Sequence, residues 1–216
     1  MNLEKNREVM IENQLRHNKI TNNQVLQVFM STSKEKFISQ DKINICYSDQ
    51  DIFIKDQRGY LKNLHLAEIL HYADIKNNEK VLHIGGLTGY LSVLIAKLCN
   101  KIYVTDNDQS FVDSIIKNFS NNKVDNGKVL KEEFSEGLKS EGPYDLIVID
   151  CPQYNFNLDL LNQVNVGGRI VYIEKINEEL SKAYKLIKYE NNFSKVFLFD
   201  VFSYFYLIKQ EEGFNF

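Results

Sequence analysis

The apolar positions of this chain change their period several times, and each change marks an element. Val81, Leu82 and Ile84 form a short apolar run that ends in Gly85-Gly86-Leu87-Thr88-Gly89, after which Tyr90, Leu91, Val93, Leu94 and Leu98 recur at helical spacing. This predicts a buried strand, a glycine turn and a helix over about 90–98. A second apolar strand, Ile102-Tyr103-Val104-Thr105-Asp106, ends in a carboxylate. The alternation then continues with an amphipathic helix over 111–119, a short strand at 128–130 and a buried strand over 144–150 that ends in Asp150. Helical residues near 158–164 and a strand over 166–173 follow. A helix around 178–187 is expected next. Two alternating segments, 193–200 and 204–209, then predict an antiparallel hairpin at a sheet edge.

Upstream of the first glycine turn, residues 3–30 read as helix, with Val9, Met10 and Leu15 at helical spacing. Thr21-Asn22-Asn23 is expected to cap a second helix over Val25, Leu26, Phe29 and Met30. Residues 31–60 read as loop, with short apolar pieces at Phe37-Ile38 and 52–54, and residues 64–73 as a helix leading into the sheet.

Composition narrows the class only moderately. At 216 residues, 44% of them hydrophobic, the chain can bury one sizeable core. We expect a single domain over 1–216, with 1–60 an N-terminal helical region and 64–210 the cofactor-binding sheet. A formal net charge of −3 argues against nucleic acid as the main partner. Cys46, Cys99 and Cys151 are odd in number and widely spaced, which suits reduced thiols in a cytoplasm. Residues 1–7 lack an apolar h-region and no apolar run is long enough to span a bilayer, so no membrane association is expected. His65 and His71 lie six apart, off a common helix face, and no metal site is expected.

Strand, glycine turn, helix, strand and acid make the first half of a nucleotide-binding α/β unit. The glycines allow close backbone approach to a cofactor, and Asp106 is placed to accept the two ribose hydroxyls. Leu87 stands where such turns usually put their second glycine. His83, inside an apolar strand, reads as a core residue with a satisfied ring nitrogen or, alternatively, as a polar contact to the amino-acid end of a cofactor. Asp150 caps the loop after its strand or, in Asp150-Cys151-Pro152-Gln153-Tyr154, is similar to the "DPPY" loop of amino-group methyltransferases with one residue more.

The order of motifs resembles the protein-L-isoaspartate O-methyltransferases over nearly the whole chain. Arg7, Met10 and Gln14-Leu15 match the family's N-terminal pattern, and Asn18-Lys19-Ile20 and Val25-Leu26 follow at its spacing. Lys34-Glu35-Lys36-Phe37 looks like its "RExF" and Cys46-Tyr47-Ser48-Asp49 like its "AYxD". The segment from Val81 to Tyr90 stands where the family has "VLEIGTGSGY", Gly142-Pro143-Tyr144-Asp145 where it has "APYD", and the segment from Leu161 to Val171 where it has "LxQLKxGGRLV".

The resemblance implies a Rossmann-like class I S-adenosylmethionine methyltransferase sheet, with N-terminal helices forming a substrate lid and a C-terminal antiparallel hairpin. It implies S-adenosylmethionine as cofactor, a protein or peptide substrate, and methyl ester formation on isoaspartyl residues as a step of protein repair. Carried over by position, Gly85, Gly86 and Gly89 would frame the methionine part of the cofactor. Asp106 would hold the ribose, and Glu133 and Phe134 would border the adenine.

The chain departs from the family at its substrate loop. Leu61 replaces the serine of "TISQPxxxA" and Asn63 the proline, His83 replaces a glutamate, and Leu87 the middle glycine. Arg58-Gly59-Tyr60-Leu61 resembles a divergent bacterial branch that also lacks the serine. The catalytic residue is therefore not assigned, and Asp150 is a candidate. Cofactor affinity below the family norm is expected from the bulk of Leu87. A methyltransferase with another acceptor such as an amine, using Asp150 and Tyr154, and a pseudoenzyme kept for binding both remain open.

Overall fold

The computed structural model of the chain describes residues 2–207. α1 (Leu3–Met10) begins where Asn2 accepts the Lys5 amide hydrogen at 3.0 Å, and it runs on through a π-helical turn, Ile11–Arg16. The helical path ends after Arg16, and the second helix begins at the cap expected from Thr21-Asn22-Asn23. Asn22 then caps α2 (Asn23–Ser31) by accepting from the Gln24 and Val25 amides. The segment read as loop carries 3-10 turns and a two-stranded hairpin, β1 (Ile52–Lys55) with β2 (Arg58–Tyr60). Strands this short show no usable period. Gly59 is required in the hairpin because a Cβ there would lie 2.3 Å from the Ile52 carbonyl oxygen and 2.5 Å from the Phe205 ring.

The main body alternates as expected. In chain order it contains α3 (Asn63–Ala73), β3 (Lys80–Ile84), α4 (Tyr90–Ala96), β4 (Lys101–Asp106), α5 (Gln109–Asn121), β5 (Gly127–Lys131), β6 (Tyr144–Gln153) and β7 (Val164–Lys175). β8 (Leu180–Lys188) and β9 (Phe193–Phe202) close it. The seven-stranded sheet has the order β5-β4-β3-β6-β7-β8-β9, parallel through β7 and antiparallel beyond it. The order reverses between β3 and β6, so the crevice of such a sheet opens at the carboxyl ends of those strands.

One element differs from the expectation. The helix read around 178–187 is the strand β8, with Tyr184 opposite Tyr172 of β7. Its inward residues are Ser181, Ala183 and Leu186, two of them small, so the alternation is invisible among helix-forming Glu, Lys and Ala. The terminal hairpin exists but is made of β8 and β9. Residues 203–207 run on as an irregular strap, and 208–209 of the expected last strand lie outside the described residues.

The N-terminal segments join the sheet through one aromatic cluster. Phe29, Phe37 and Tyr60 surround Tyr90 with ring centroids 6.2, 5.3 and 5.9 Å away. Lys34 is fully buried beside them, its Nζ 5.6 and 5.5 Å from the Tyr60 and Tyr90 ring centroids, and donates to Asn63 Oδ1 at 2.8 Å. Burial without a carboxylate partner pushes its pKa down to about 7. The amine is thus neutral in the fold but an ammonium in the unfolded chain between pH 7 and its ordinary value. The unfolded state binds more protons in that window, so stability rises with pH. Wild type is expected to gain up to about 1.4 kcal/mol per pH unit relative to Lys34→Met above pH 7. Urea unfolding of both at pH 7, 8 and 9 measures it, and parallel curves would refute it.

Candidate cofactor cleft

The site is built where β3 and β4 end. Gly85 (φ +83°), Leu87 (φ +52°) and Gly89 (φ +91°) give the turn its left-handed conformations, and Leu87 is the one among these three with a side chain. The Gly85 amide donates to the Thr105 carbonyl at 2.8 Å, tying the turn to β4. A Cβ on Gly86 would lie 2.5 Å from Val104 Cγ1 and 2.8 Å from Ile115 Cδ1, and one on Gly89 would face Ile115. The free sides of these two glycines therefore serve the packing of α5 and β4. A Cβ on Gly85 would instead meet Leu207 Cδ1 at 3.1 Å and Arg58 Nη2 at 3.6 Å, so this glycine faces the crevice.

Asp106 is completely buried, and all its oxygens are engaged. Arg58 donates through a two-pronged contact, Nη1 to Oδ1 at 3.0 Å and Nη2 to Oδ2 at 2.6 Å. The Leu87 amide donates to Oδ2 and the Asp108 amide to Oδ1, both at 3.1 Å. Burial opposes the Arg58 charge, yet the Asp106 carboxylate outweighs it and holds the guanidinium pKa above its ordinary value. The same guanidinium lies 4.9 Å from the ring centroids of both Phe111 and Phe134.

β2 reaches this point because its other residues are anchored on the glycine turn. The Tyr60 hydroxyl accepts from the Tyr90 amide at 3.0 Å, and Thr88 spends its hydroxyl hydrogen on the Phe37 carbonyl, so Tyr60 donates to Thr88 Oγ1 at 2.7 Å. The terminal strap lies against β2 and β6. The Tyr206 amide donates to the Gln57 carbonyl at 3.0 Å and the Leu207 amide to the Pro152 carbonyl at 2.7 Å. What remains open is a cleft of about 310 Å³ lined by Arg58, Asn107, Asp108, Phe111, Phe134 and Leu207 among others.

The other sequence-based candidates fall in different places. Glu133 is exposed and outside the cleft lining, because the chain leaves β5 with that side chain outward while Phe134 turns in. Leu87 is buried in the core and also absent from the lining, so its bulk does not fill the cleft as expected. Asp150 is buried and accepts from His83 Nε2 at 3.0 Å, while His83 Nδ1 accepts from the Ser92 hydroxyl at 2.8 Å. A carboxylate can only accept, which places the histidine hydrogen on Nε2. Serine, histidine and aspartate in this order resemble a nucleophilic relay, but Ser92 has no exposed surface and the three form a satisfied internal chain. Leu61 is a core side chain, and Asn63 accepts from Lys34 and donates to the Cys46 carbonyl at 3.1 Å. Restoring the family's proline at 63 would remove that amide and strand Lys34.

Arg58 was not among the expected site residues. It precedes Asp106 by 48 positions, on a three-residue strand with no period of its own, so no local signal connects them.

The family model of protein-L-isoaspartate(D-aspartate) O-methyltransferase matches residues 4–206. The chain belongs to this family. Its enzymes are S-adenosylmethionine-dependent methyltransferases. A protein-L-isoaspartate O-methyltransferase of Brucella anthropi is 28% identical over 170 residues, 79% of this chain and 78% of that protein. One from Petrotoga mobilis is 23% identical over 197 residues, 91% of this chain and 92% of that protein. Among solved structures, one described as a putative protein-L-isoaspartate O-methyltransferase of Plasmodium falciparum in complex with S-adenosylhomocysteine superposes with a TM-score of 0.80. It is 19% identical, over 97% of this chain and all of that one. Another, titled protein-L-isoaspartate O-methyltransferase, gives 0.79 at 14% identity, over 95% of this chain and 66% of that one. These two likenesses show the family's fold.

With Arg58 and Leu207 in these positions, the cleft is closed to the family's cofactor. The carboxylate that would take the ribose hydroxyls has no acceptor position left, and Leu207 and Arg58 stand over the glycine that would admit the backbone close to a ligand.

Proposed function

We propose that this chain carries out its family's reaction, methyl ester formation on isoaspartyl carboxylates of damaged proteins, at the crevice over β3, β4 and β6, and does so slowly. The observation that carries this reading is the family match along the whole sheet, coupled to a crevice at the point where the strand order reverses. Residues 1–60 form the lid over that crevice, a reading supported by the contacts of Phe37 and Tyr60 with Thr88 on the glycine turn. An isoaspartyl carboxylate is already an ionised nucleophile, so the site has to orient it and exclude water rather than supply a base. The missing serine at Leu61 therefore lowers the rate without removing the chemistry. The internal bond between His83 and Asp150 disfavours an amine acceptor held by Asp150. Three buried free cysteines agree with action in the cytoplasm, and no helix of the described residues is long and apolar enough to cross a membrane.

Tritiated methyl transfer to an isoaspartyl peptide and to its normal aspartyl twin tests the reading. Slow labelling of the isoaspartyl peptide alone is expected. Equal labelling of the twins would replace the repair reading with a general carboxylate or other acceptor.

A further inference from the structure

We propose that the cofactor cleft of this chain is filled by its own Arg58, so that S-adenosylmethionine or its demethylated product enters only by displacing the guanidinium from Asp106. The inference rests on the family reading of the cleft but concerns binding, not methyl transfer.

Three observations converge on it. The first is saturation. A carboxylate offers about four acceptor positions, and Asp106 fills them with two amides and the two prongs of Arg58. The two amides belong to the turn and to the chain just after β4, so they are fixed by the fold. The prongs of Arg58 are the exchangeable pair, equal in number to the vicinal hydroxyls of a ribose.

The second is shape. A guanidinium is planar, and it lies over the rings of both Phe111 and Phe134, 4.9 Å from each centroid. The aromatic surface it covers suits one flat group. Arg58 thus takes an acid that would hold a ribose and, with the same atoms, the stacking space beside it. The third is the strap. Leu207 covers Gly85 and is pinned by its amide to the Pro152 carbonyl, while Phe205 packs on Gly59 next to Arg58. The plug and its cover come from segments far apart in sequence, so the closure is built into the tertiary fold.

The plug also has a loose end. Among the described residues, Arg58 Nε is buried without a hydrogen-bond partner. A ligand that displaces the guanidinium therefore breaks a strong contact with Asp106 but leaves a poorly satisfied arginine position behind. This makes exchange a matter of competition rather than of permanent closure.

Calorimetric titration with S-adenosylhomocysteine tests the proposal on wild type, Arg58→Gln and Leu207→Ala, each first shown to be folded by circular dichroism. Arg58→Gln removes the charge and the fork while keeping most of the side-chain volume. Leu207→Ala opens the cover without touching the ion pair, and so keeps the test alive should the first variant fold poorly. Arg58→Gln is expected to bind about 100-fold more tightly than wild type, and Leu207→Ala a few-fold more tightly. Equal affinity in all three would overturn the proposal, because the guanidinium would not be in the ligand's way. Absence of binding in all three folded proteins would overturn it as well, since something other than Arg58 would then close the cleft. A variant that gains the ligand yet labels neither peptide leaves this inference standing and sinks the methyl-transfer reading instead.

Discussion

Asp106→Ala is expected to destabilise the fold by about 3–5 kcal/mol, the usual cost of leaving one partner of a buried ion pair without the other. The guanidinium of Arg58 would remain against two phenylalanine rings with no counter-charge, and the Leu87 and Asp108 amides would lose their acceptor. Replacing both partners separates these costs. Arg58→Met with Asp106→Leu removes the stranded charge but still orphans the two amides, so the double variant should recover part of the loss and not all of it. Urea unfolding of the two single variants and the double variant measures this. A double variant no more stable than Asp106→Ala would mean that the pair adds little to the fold.

Tyr90→Ala is expected to cost about 3–5 kcal/mol as well, through a different route. Tyr90 begins α4 with no exposed surface, and its ring is where Phe29, Phe37 and Tyr60 meet, so truncation opens a cavity between the N-terminal segments and the sheet. The hydroxyl contributes nothing visible, since among the described residues it is buried without a hydrogen-bond partner. Tyr90→Phe should therefore be neutral or slightly stabilising, because an unsatisfied buried polar group is removed while the ring stays. Thermal unfolding of both variants distinguishes ring from hydroxyl. A destabilised Tyr90→Phe would show that the oxygen has a partner after all.

Where local pattern and global fold agreed, the sequence was readable. The strand at Val81, the glycine turn, α4 and the acid at Asp106 all announced themselves, because buried parallel strands are continuous apolar runs and the turn needs left-handed residues. β8 was not readable. Its strand conformation comes from pairing with β7 and β9 on either side, and such context overrides the helix preference of Glu, Lys and Ala. The cleft shows the same division. Asp106 was singled out from the order of elements and Phe134 from the family resemblance, whereas Phe111 read only as part of an amphipathic helix. The pairing that decides their use involves Arg58, which a two-stranded hairpin delivers from another part of the chain. Glu133 and Leu87 lie outside the cleft lining for a related reason: position along a motif fixes which residue is near a site, but not which way its side chain leaves the backbone.

The bond between Arg58 and Asp106 also changes what the acid can tell an evolutionary reader. A carboxylate after a glycine turn is commonly taken as the mark of a working nucleotide site. Here the same carboxylate neutralises an internal cation, so selection for folding alone would preserve it in a lineage that had stopped using a ligand. Substitutions at the two positions would be expected to travel together among descendants of this chain. An intact acid would record a debt to the arginine, and only loss of the arginine with retention of the acid would record a cofactor.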